Sequence, residues 1–326
     1  MKIGKLDNQE LRRLVLDRLP AQSQFVTSGP SVGVDCSAIR FCEGQVVLST
    51  DPITGATADI GRLSVLVTCN DIAACGIRPS ALLLTIIAPP QATADDIRMV
   101  IDQAAAAARK INVSIVGGHT EVSDAVTRFV VSATALGFTY GNHIIQASGA
   151  RPEDVLVMTK TAGLEGTAIL ASDQAKKLAG KLSEEELQEA RALISQISVV
   201  EEGSSGGDLG VHAMHDATEG GILGACWELA EASGLGCIVE AAKIPVHPLT
   251  ARICTILAID PQQLVASGSM IIATDKPDDL MTTLANKDIL ATVIGKLTEN
   301  KQKIADFGYK RMELLPPGPD ELYKIN

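Results

Sequence analysis

The residues of this chain whose types and spacing suit chemistry are a set of aspartates and two glycine pairs, each at a corner of the predicted secondary structure. Asp51 stands at the tip of an extended run, residues 46–50, and Asp71 lies on a helical stretch that starts near Ile60. With a period of 3.6, Ile60, Leu63, Leu66, Val67, Asn70 and Ala74 form one stripe with Asp71 on its shoulder. Val65 and Ile72 fall on the opposite side, so this helix is apolar almost all round and is predicted to be buried. An ionised carboxylate on such a helix is costly unless a cation or hydrogen-bond donors meet it. Asp51 and Asp71 are therefore candidates to share a cation. A hydrogen-bonded core Asp and a turn Asp account for the same two residues.

The first glycine pair, in Gly117-Gly118-His119-Thr120-Glu121, follows a short apolar strand, residues 114–116. Backbone N–H groups exposed at such a corner can hold phosphate. By itself a Gly-Gly-x-Thr is also met by a plain tight turn, the simpler reading. The second pair closes Asp216-Ala217-Thr218-Glu219-Gly220-Gly221 and leads into a helix over 222–233. This order of strand, acid, glycine pair and helix puts backbone donors and the positive end of a helix dipole beside Asp216. His212 and His215, three apart at a strand end, point to opposite faces and read as ordinary polar residues, not zinc ligands.

The elements around these corners alternate between strand and helix. A helix over 8–19 precedes a predicted hairpin of strands 37–41 and 46–50. The apolar strand 81–88 stops at Pro89-Pro90, and Thr93 caps a helix over 94–110 with five consecutive alanines. Residues 128–138 alternate as a strand. The turn-rich stretch 149–154 divides the chain into domains 1–148 and 149–326. In the second, a charged helix lies within 181–199, Gly203–Gly210 reads as a flexible connection, and 316–326 as a short polar tail. The fold class is α/β (α+β) with two domains.

The whole chain sets the limits. Its 326 residues suffice for two cores, and 46% hydrophobic with only 3% aromatic content means cores of Ala, Val, Ile and Leu. A net charge of −11 argues against a nucleic-acid surface. No apolar run approaches the roughly 20 residues of a membrane span. The charged, amphipathic start does not read as a secretory signal, and seven cysteines without a Cys-x-x-Cys suit neither a disulfide framework nor a zinc site. A cytoplasmic protein is expected.

Several separated segments then align in order with one family. They are Gly33-Val34-Asp35-Cys36-Ser37, Ser49-Thr50-Asp51, Asp59-Ile60-Gly61, Asn70-Asp71-Ile72-Ala73-Ala74-Cys75-Gly76 and Gly117-Gly118-His119-Thr120-Glu121. The second half adds Gly163-Leu164-Glu165-Gly166, His215-Asp216-Ala217-Thr218-Glu219-Gly220-Gly221 and Ala266-Ser267-Gly268-Ser269. On these motifs the chain resembles the AIR-synthase-like ATP-binding superfamily, nearest to its hydrogenase-maturation branch. The resemblance implies a homodimer with a dimer-wide barrel formed by the N-terminal sheets, a flanking C-terminal α/β domain, and ATP with Mg²⁺ in the groove between domains and subunits. It implies that Asp35, Asp51 and Asp71 hold magnesium, and that Thr50, Asn70, Gly117, Gly118, Thr120, Thr218, Gly220 and Gly221 bind the nucleotide. Asp216 and Glu121 are implied as catalytic.

The departures bear on the substrate. The carbamoyl dehydratases of that branch end in Pro-Arg-Ile-Cys, whereas this chain ends Lys324-Ile325-Asn326 and its last cysteine is Cys254. Glu219 stands where that branch has Arg, and His119 where many members have Asp. The expected function is an ATP- and Mg-dependent enzyme that activates an oxygen of a small-molecule substrate by phosphoryl transfer, as a kinase or as a ligase or dehydratase. The alternative is a non-catalytic nucleotide-binding paralogue acting within a complex.

Overall fold

A computed structural model describes residues 4–5, 8–24, 26–28, 38–39, 44–54, 58–140 and 144–325. The chain divides into two compact units: Met1–Ile72 with Arg78–His143, and Ala73–Ile77 with Ile144–Asn326. No helix among the described residues is long and apolar enough to cross a membrane.

In the first unit, β1 (Gly4–Lys5), α1 (Asn8–Leu14), β2 (Val26–Ser28), β3 (Ala38–Ile39) and β4 (Gln45–Ile53) are followed by α2 (Ile60–Ala74), β5 (Pro79–Ala88), α3 (Ala94–Lys110), β6 (Ser114–Val122) and β7 (Val130–Thr139). The main sheet has the order β1-β6-β5-β7-β4, parallel only where α3 carries the chain from β5 to β6. Thr93 caps α3 in a reciprocal capping box with Asp96, which fixes where that helix starts. The alanine-rich side of α3 is buried. A Cβ on Gly61 of α2 would lie 2.0 Å from the Val100 carbonyl oxygen of α3, so the two helices approach backbone to backbone. Leu63 and Ile72 of α2 and Leu82 of β5 are fully buried, each contributing about 1.5–3 kcal/mol of transfer free energy.

The other face of the sheet is open. Val46, Leu48, Thr50 and Pro52 of β4 are exposed, while Val131, Ala133 and Ala135 on the helix side of β7 are buried. Leu48 is 62% and Leu83 is 40% exposed. The predicted hairpin does not form: Ala38–Ile39 pairs with Val26–Ser28, and β4 pairs along its length with β7, from Gln45↔Thr139 to Ile53↔Val131. Alternation fixes which side chains share a face but not which strand lies alongside.

The second unit contains β8 (Val155–Thr159), α4 (Leu164–Asp173), α5 (Ala175–Leu178), α6 (Glu184–Ala192), α7 (Val200–Leu209), β9 (Ala213–Asp216), α8 (Gly221–Ala232) and β10 (Gly236–Val239). After these come α9 (Pro248–Leu257), β11 (Met270–Thr274), α10 (Pro277–Ala285), β12 (Ala291–Thr298), β13 (Lys303–Asp306) and β14 (Arg311–Glu313). Its sheet runs β14-β13-β10-β12-β8-β11-β9, with β9 at one edge.

Gly203–Gly210, expected to be a flexible connection, is mostly helix α7. The glycines serve packing. A Cβ on Gly203 would lie 2.1 Å from the Ala73 carbonyl oxygen, one on Gly207 2.4 Å from that of Gly76, and one on Gly206 2.4 Å from Met214 Sδ. Gly203 and Gly207, four apart, form a flat helix face against which the backbone at Ala73 and Gly76 lies, and Gly206 makes room for Met214. The loss of helix propensity, about 1 kcal/mol per glycine, is offset by that close contact. The short polar tail is partly packed: Asp320, Glu321 and Ile325 are buried.

Candidate functional site

The acids and glycines nominated above separate into two groups, one in each unit. In the first unit Asp71 lies near the end of α2, and Ser49 Oγ of β4 donates a hydrogen bond to its Oδ2. Ser49 and Asp51 are two residues apart on one strand and so share the helix-covered face. Asp51 Oδ2 is buried with no hydrogen-bond partner among the described residues. A buried carboxylate oxygen left unmet costs free energy unless a cation or donor satisfies it. Two hard oxygen ligands on one face suit Mg²⁺. Asp35 lies outside the described residues, and among those described no group of three or more His, Cys, Asp or Glu is arranged to hold a metal. Asn70 is fully buried in α2.

The structure does not bring Thr50 and Glu121 to Asp51 and Asp71. Thr50 points to the open face, where its Oγ1 bonds the Ala133 carbonyl and Thr134 Oγ1 at 2.9 Å. β6 does not stop at Val116 but runs to Val122, so Gly117, Gly118 and Thr120 are strand residues and not a loop. His119 and Glu121 pair with Thr85 and Ile87 and share the open face, with His119 Nε2 3.3 Å from Glu121 Oε2. β6 and β4 are three strand spacings apart, about 14 Å. Gly118 has φ +152, and a Cβ there would lie 1.8 Å from the Leu84 carbonyl oxygen. The sheet itself therefore requires a glycine at 118.

In the second unit three segments distant in sequence converge. β9 ends at Asp216, which is 4% exposed, and α8 begins at Gly221 after Gly220 at φ +80. Ala217 N–H donates to the Ser269 carbonyl at 2.9 Å, Ala266 N–H to the Thr218 carbonyl at 3.3 Å, and Gly166 N–H to the Val265 carbonyl at 3.0 Å. The segment 265–269 thus braces both the corner at 216–221 and the first turn of α4. A Cβ on Gly221 would come within 2.6 Å of the Gln262 carbonyl oxygen, so this glycine too is required by neighbouring backbone.

Glu165, in the first turn of α4, was not singled out from the sequence. Burial pushes its carboxyl up to about 7; a hydrogen bond with Ser267 acts the other way, and the charges of Asp320, Glu219 and Asp216 add to the rise. A carboxyl that titrates near neutrality can hold or release a proton at working pH. Its only sequence signal was its place in Gly163-Leu164-Glu165-Gly166. Asp320 gave none.

The histidines are held by acids: His212 Nδ1 lies 2.8 Å from Asp154 Oδ1 and His215 Nε2 2.9 Å from Glu228 Oε2. Burial opposes the charged form of His215, but the Glu228 hydrogen bond and the charges of Asp216 and Glu228 outweigh it and raise the pKa. Cys254 is buried, and desolvation foremost, with Asp260 and Glu321 nearby, pushes its thiol up to about 12. It is no nucleophile at neutral pH.

Comparison with known proteins finds relatives in sequence and solved structures of the same fold. A putative hydrogenase expression/formation protein of Methanocaldococcus jannaschii is 29% identical over 282 residues, 84% of this chain and 81% of that protein. A carbamoyl dehydratase, HypE, of Cupriavidus necator is 28% identical over 250 residues, covering 73% and 68%. The crystal structure of Escherichia coli HypE superposes with a TM-score of 0.80 at 22% identity, covering 98% of this chain and 99% of that one. A structure of HypE in complex with ATP superposes at 0.77 and 21% identity, covering 98% and 97%. Residues 33–139 match the N-terminal domain of AIR synthase related proteins and residues 151–307 the C-terminal domain. The chain belongs to the AIR synthase related family.

Proposed function

We propose that the chain is an ATP- and magnesium-dependent enzyme that activates an oxygen of a small substrate by phosphoryl transfer. The observation that carries this reading is Asp51, whose buried Oδ2 has no partner among the described residues, on the same sheet face as Asp71. Asp51 and Asp71, with Asp35, hold the cation. Thr120, Thr218, Gly220 and the backbone at 117–118 and 221 line the nucleotide, and Asp216 with Glu165 handles the proton of the accepting group. Bound ATP supplies the phosphoryl group that turns a poor leaving oxygen into a good one or remains on it as an ester. Such transfer depends on positioning and charge neutralisation, not on a protein nucleophile. Cys254, buried with an elevated pKa, has no part in it.

The likeness to carbamoyl dehydratases favours a substrate with a carboxamide or carbamoyl oxygen. The second reading is a nucleotide-binding partner without turnover. The test is ADP release from ATP and Mg²⁺ in the presence of small carboxamides, carbamates and alcohols. Sustained release with one acceptor class supports the enzyme; ATP binding without any release supports the second reading.

The open face of the first unit's sheet, with Leu48, Leu83, Thr50 and Glu121 on it, is proposed to meet the same face of a second copy in a dimer-wide barrel. An exposed apolar sheet face of this kind is costly in water. Leu48→Asp is expected to halve the mass measured by light scattering without changing the far-UV spectrum. An unchanged mass would place the subunit contact elsewhere.

A further inference from the structure

The sheet of the second unit ends at β14, which pairs with β13 on one side and with no other strand among the described residues. Phe307 N–H donates to the Lys310 carbonyl at 2.9 Å and Leu314 N–H to the Lys303 carbonyl at 2.8 Å. Backbone groups in an antiparallel ladder turn alternately toward and away from the neighbour. Lys310, Met312 and Leu314 therefore bond β13, while the N–H and C=O groups of Arg311 and Glu313 face outward from the sheet. All three residues of β14 are exposed. The hairpin is nevertheless well held, because Asp306 accepts the Gly308 N–H through Oδ1 and Arg311 Nε through Oδ2, each at 2.8 Å.

Beside this edge lies a groove of about 600 Å³ whose lining includes Trp227 of α8, Lys301, Lys303, Arg311, Met312 and Leu314. Lys303 Nζ sits 5.2 Å from the centre of the Trp227 ring and donates to Glu231 Oε2 at 2.6 Å, which fixes the ring in place. Lys301 and Lys310 are exposed. Arg311 meets Asp306 through Nε alone, so its Nη donors remain available to another carboxylate. Residues 301–313 thus carry four cations and two acids in a chain whose net charge is −11. Met312 is 44% and the adjoining Leu315 66% exposed, which adds apolar surface to the same edge.

We propose that β14 is a docking edge for an extended, acidic segment of a partner protein, which joins the seven-stranded sheet as a further strand. Its backbone bonds the outward groups of Arg311 and Glu313, and one apolar side chain enters the groove beside Trp227 and Met312. Main-chain bonds supply affinity in strand addition, and pockets for alternate side chains supply specificity. The cations choose the sign of the partner: an acidic segment is repelled by most of this chain's surface and attracted here. The rigid hairpin spares the complex part of the ordering cost. This goes beyond the nucleotide reading and does not depend on it.

Trp227 is the only tryptophan of the chain, so its emission reports on the groove itself. The probes are two short synthetic peptides, one alternating glutamate with valine around a central phenylalanine, the other with lysine in place of glutamate. Both are titrated into the full chain as wild type, Lys301→Glu and Glu313→Pro. The proline removes an outward N–H and no bond between β13 and β14, and circular dichroism checks that both variants keep the wild-type fold. The acidic peptide is expected to shift Trp227 emission saturably, more weakly as salt rises, and the basic one to leave it unmoved. Lys301→Glu is expected to weaken binding about tenfold and Glu313→Pro by at least as much. Equal binding of the two peptides, or no shift with either, would overturn the proposal. Binding lost in Lys301→Glu but intact in Glu313→Pro would make the groove a pocket for anionic side chains alone and overturn strand addition. Emission that changes with protein concentration alone would assign the edge to a second copy of the chain, and overturn it likewise.

Discussion

Asp71→Asn and Asp51→Asn are each expected to weaken ATP binding in the presence of magnesium by about a hundredfold, while leaving the fold intact. The first change keeps the shape of the side chain and its capacity to accept the Ser49 hydroxyl, so the packing of α2 on β4 has no reason to alter. What is lost is one negative oxygen ligand, and affinity for a hard divalent cation depends steeply on the number and charge of such ligands. At Asp51 a second signature is available. Its Oδ2 is buried without a partner among the described residues, so in metal-free protein the charge is a burden and Asp51→Asn is expected to be neutral or slightly stabilising. Magnesium with ATP should then raise the unfolding temperature of wild type, by ligand linkage, and leave both variants unmoved. Equal calorimetric affinity in wild type and variants would remove these two acids from the metal site.

Glu165→Gln is expected to stabilise the protein at pH above 7 by about 3 kcal/mol and to have little effect below pH 4.5. Burial foremost raises the Glu165 carboxyl from 4.5 to about 7 in the folded protein, against a counteracting Ser267 hydrogen bond. A group whose folded pKa is raised gives its full stability below the unfolded pKa and loses it as pH rises through the folded value. The loss therefore falls between about pH 4.5 and 7, and about 1.4 kcal/mol per pH unit over that interval gives the stated size. Gln has no charge to bury and can still accept from Ser267. Urea unfolding of both proteins at pH 4.5 and 8.5 checks the sign. A difference that does not change with pH would mean that Glu165 is not held neutral by burial. If Glu165 also serves the proposed proton transfer, Glu165→Gln gains this stability while losing turnover, the exchange expected when a functional carboxyl is kept in a buried place.

Much of the fold was legible because it depends on local patterns. The apolar stripe of α2, the continuous run of β5 and the Thr93 cap of α3 each express a periodicity or a capping residue, and each element lies where that signal puts it. Gly203–Gly210 was misread because glycine lowers helix propensity locally, while the reason for a helix there, backbone contact with Ala73 and Gly76, is invisible to a local pattern. The predicted hairpin failed for a related reason: β4 chose β7, some eighty residues later, as its neighbour. The side on which each acid falls follows from strand phase once the true strand length is known. Because β6 continues through Gly117–Glu121, Thr120 faces the covered side and Glu121 the open one.

The sequence by itself determined that this is a two-domain α/β chain of the AIR synthase related family, and which short motifs are candidates for chemistry. The two-domain α/β reading follows from hydropathic period, the candidates from the order of glycines and acids, and the family from the resemblance those motifs carry. Only the tertiary structure decided which of those residues share a face, that Glu165 is buried among other carboxylates, and that Asp320 lies on the Gly220 N–H. A carboxylate's solvation and neighbours are properties of the packed chain, and no local signal can specify a neighbour a hundred residues away.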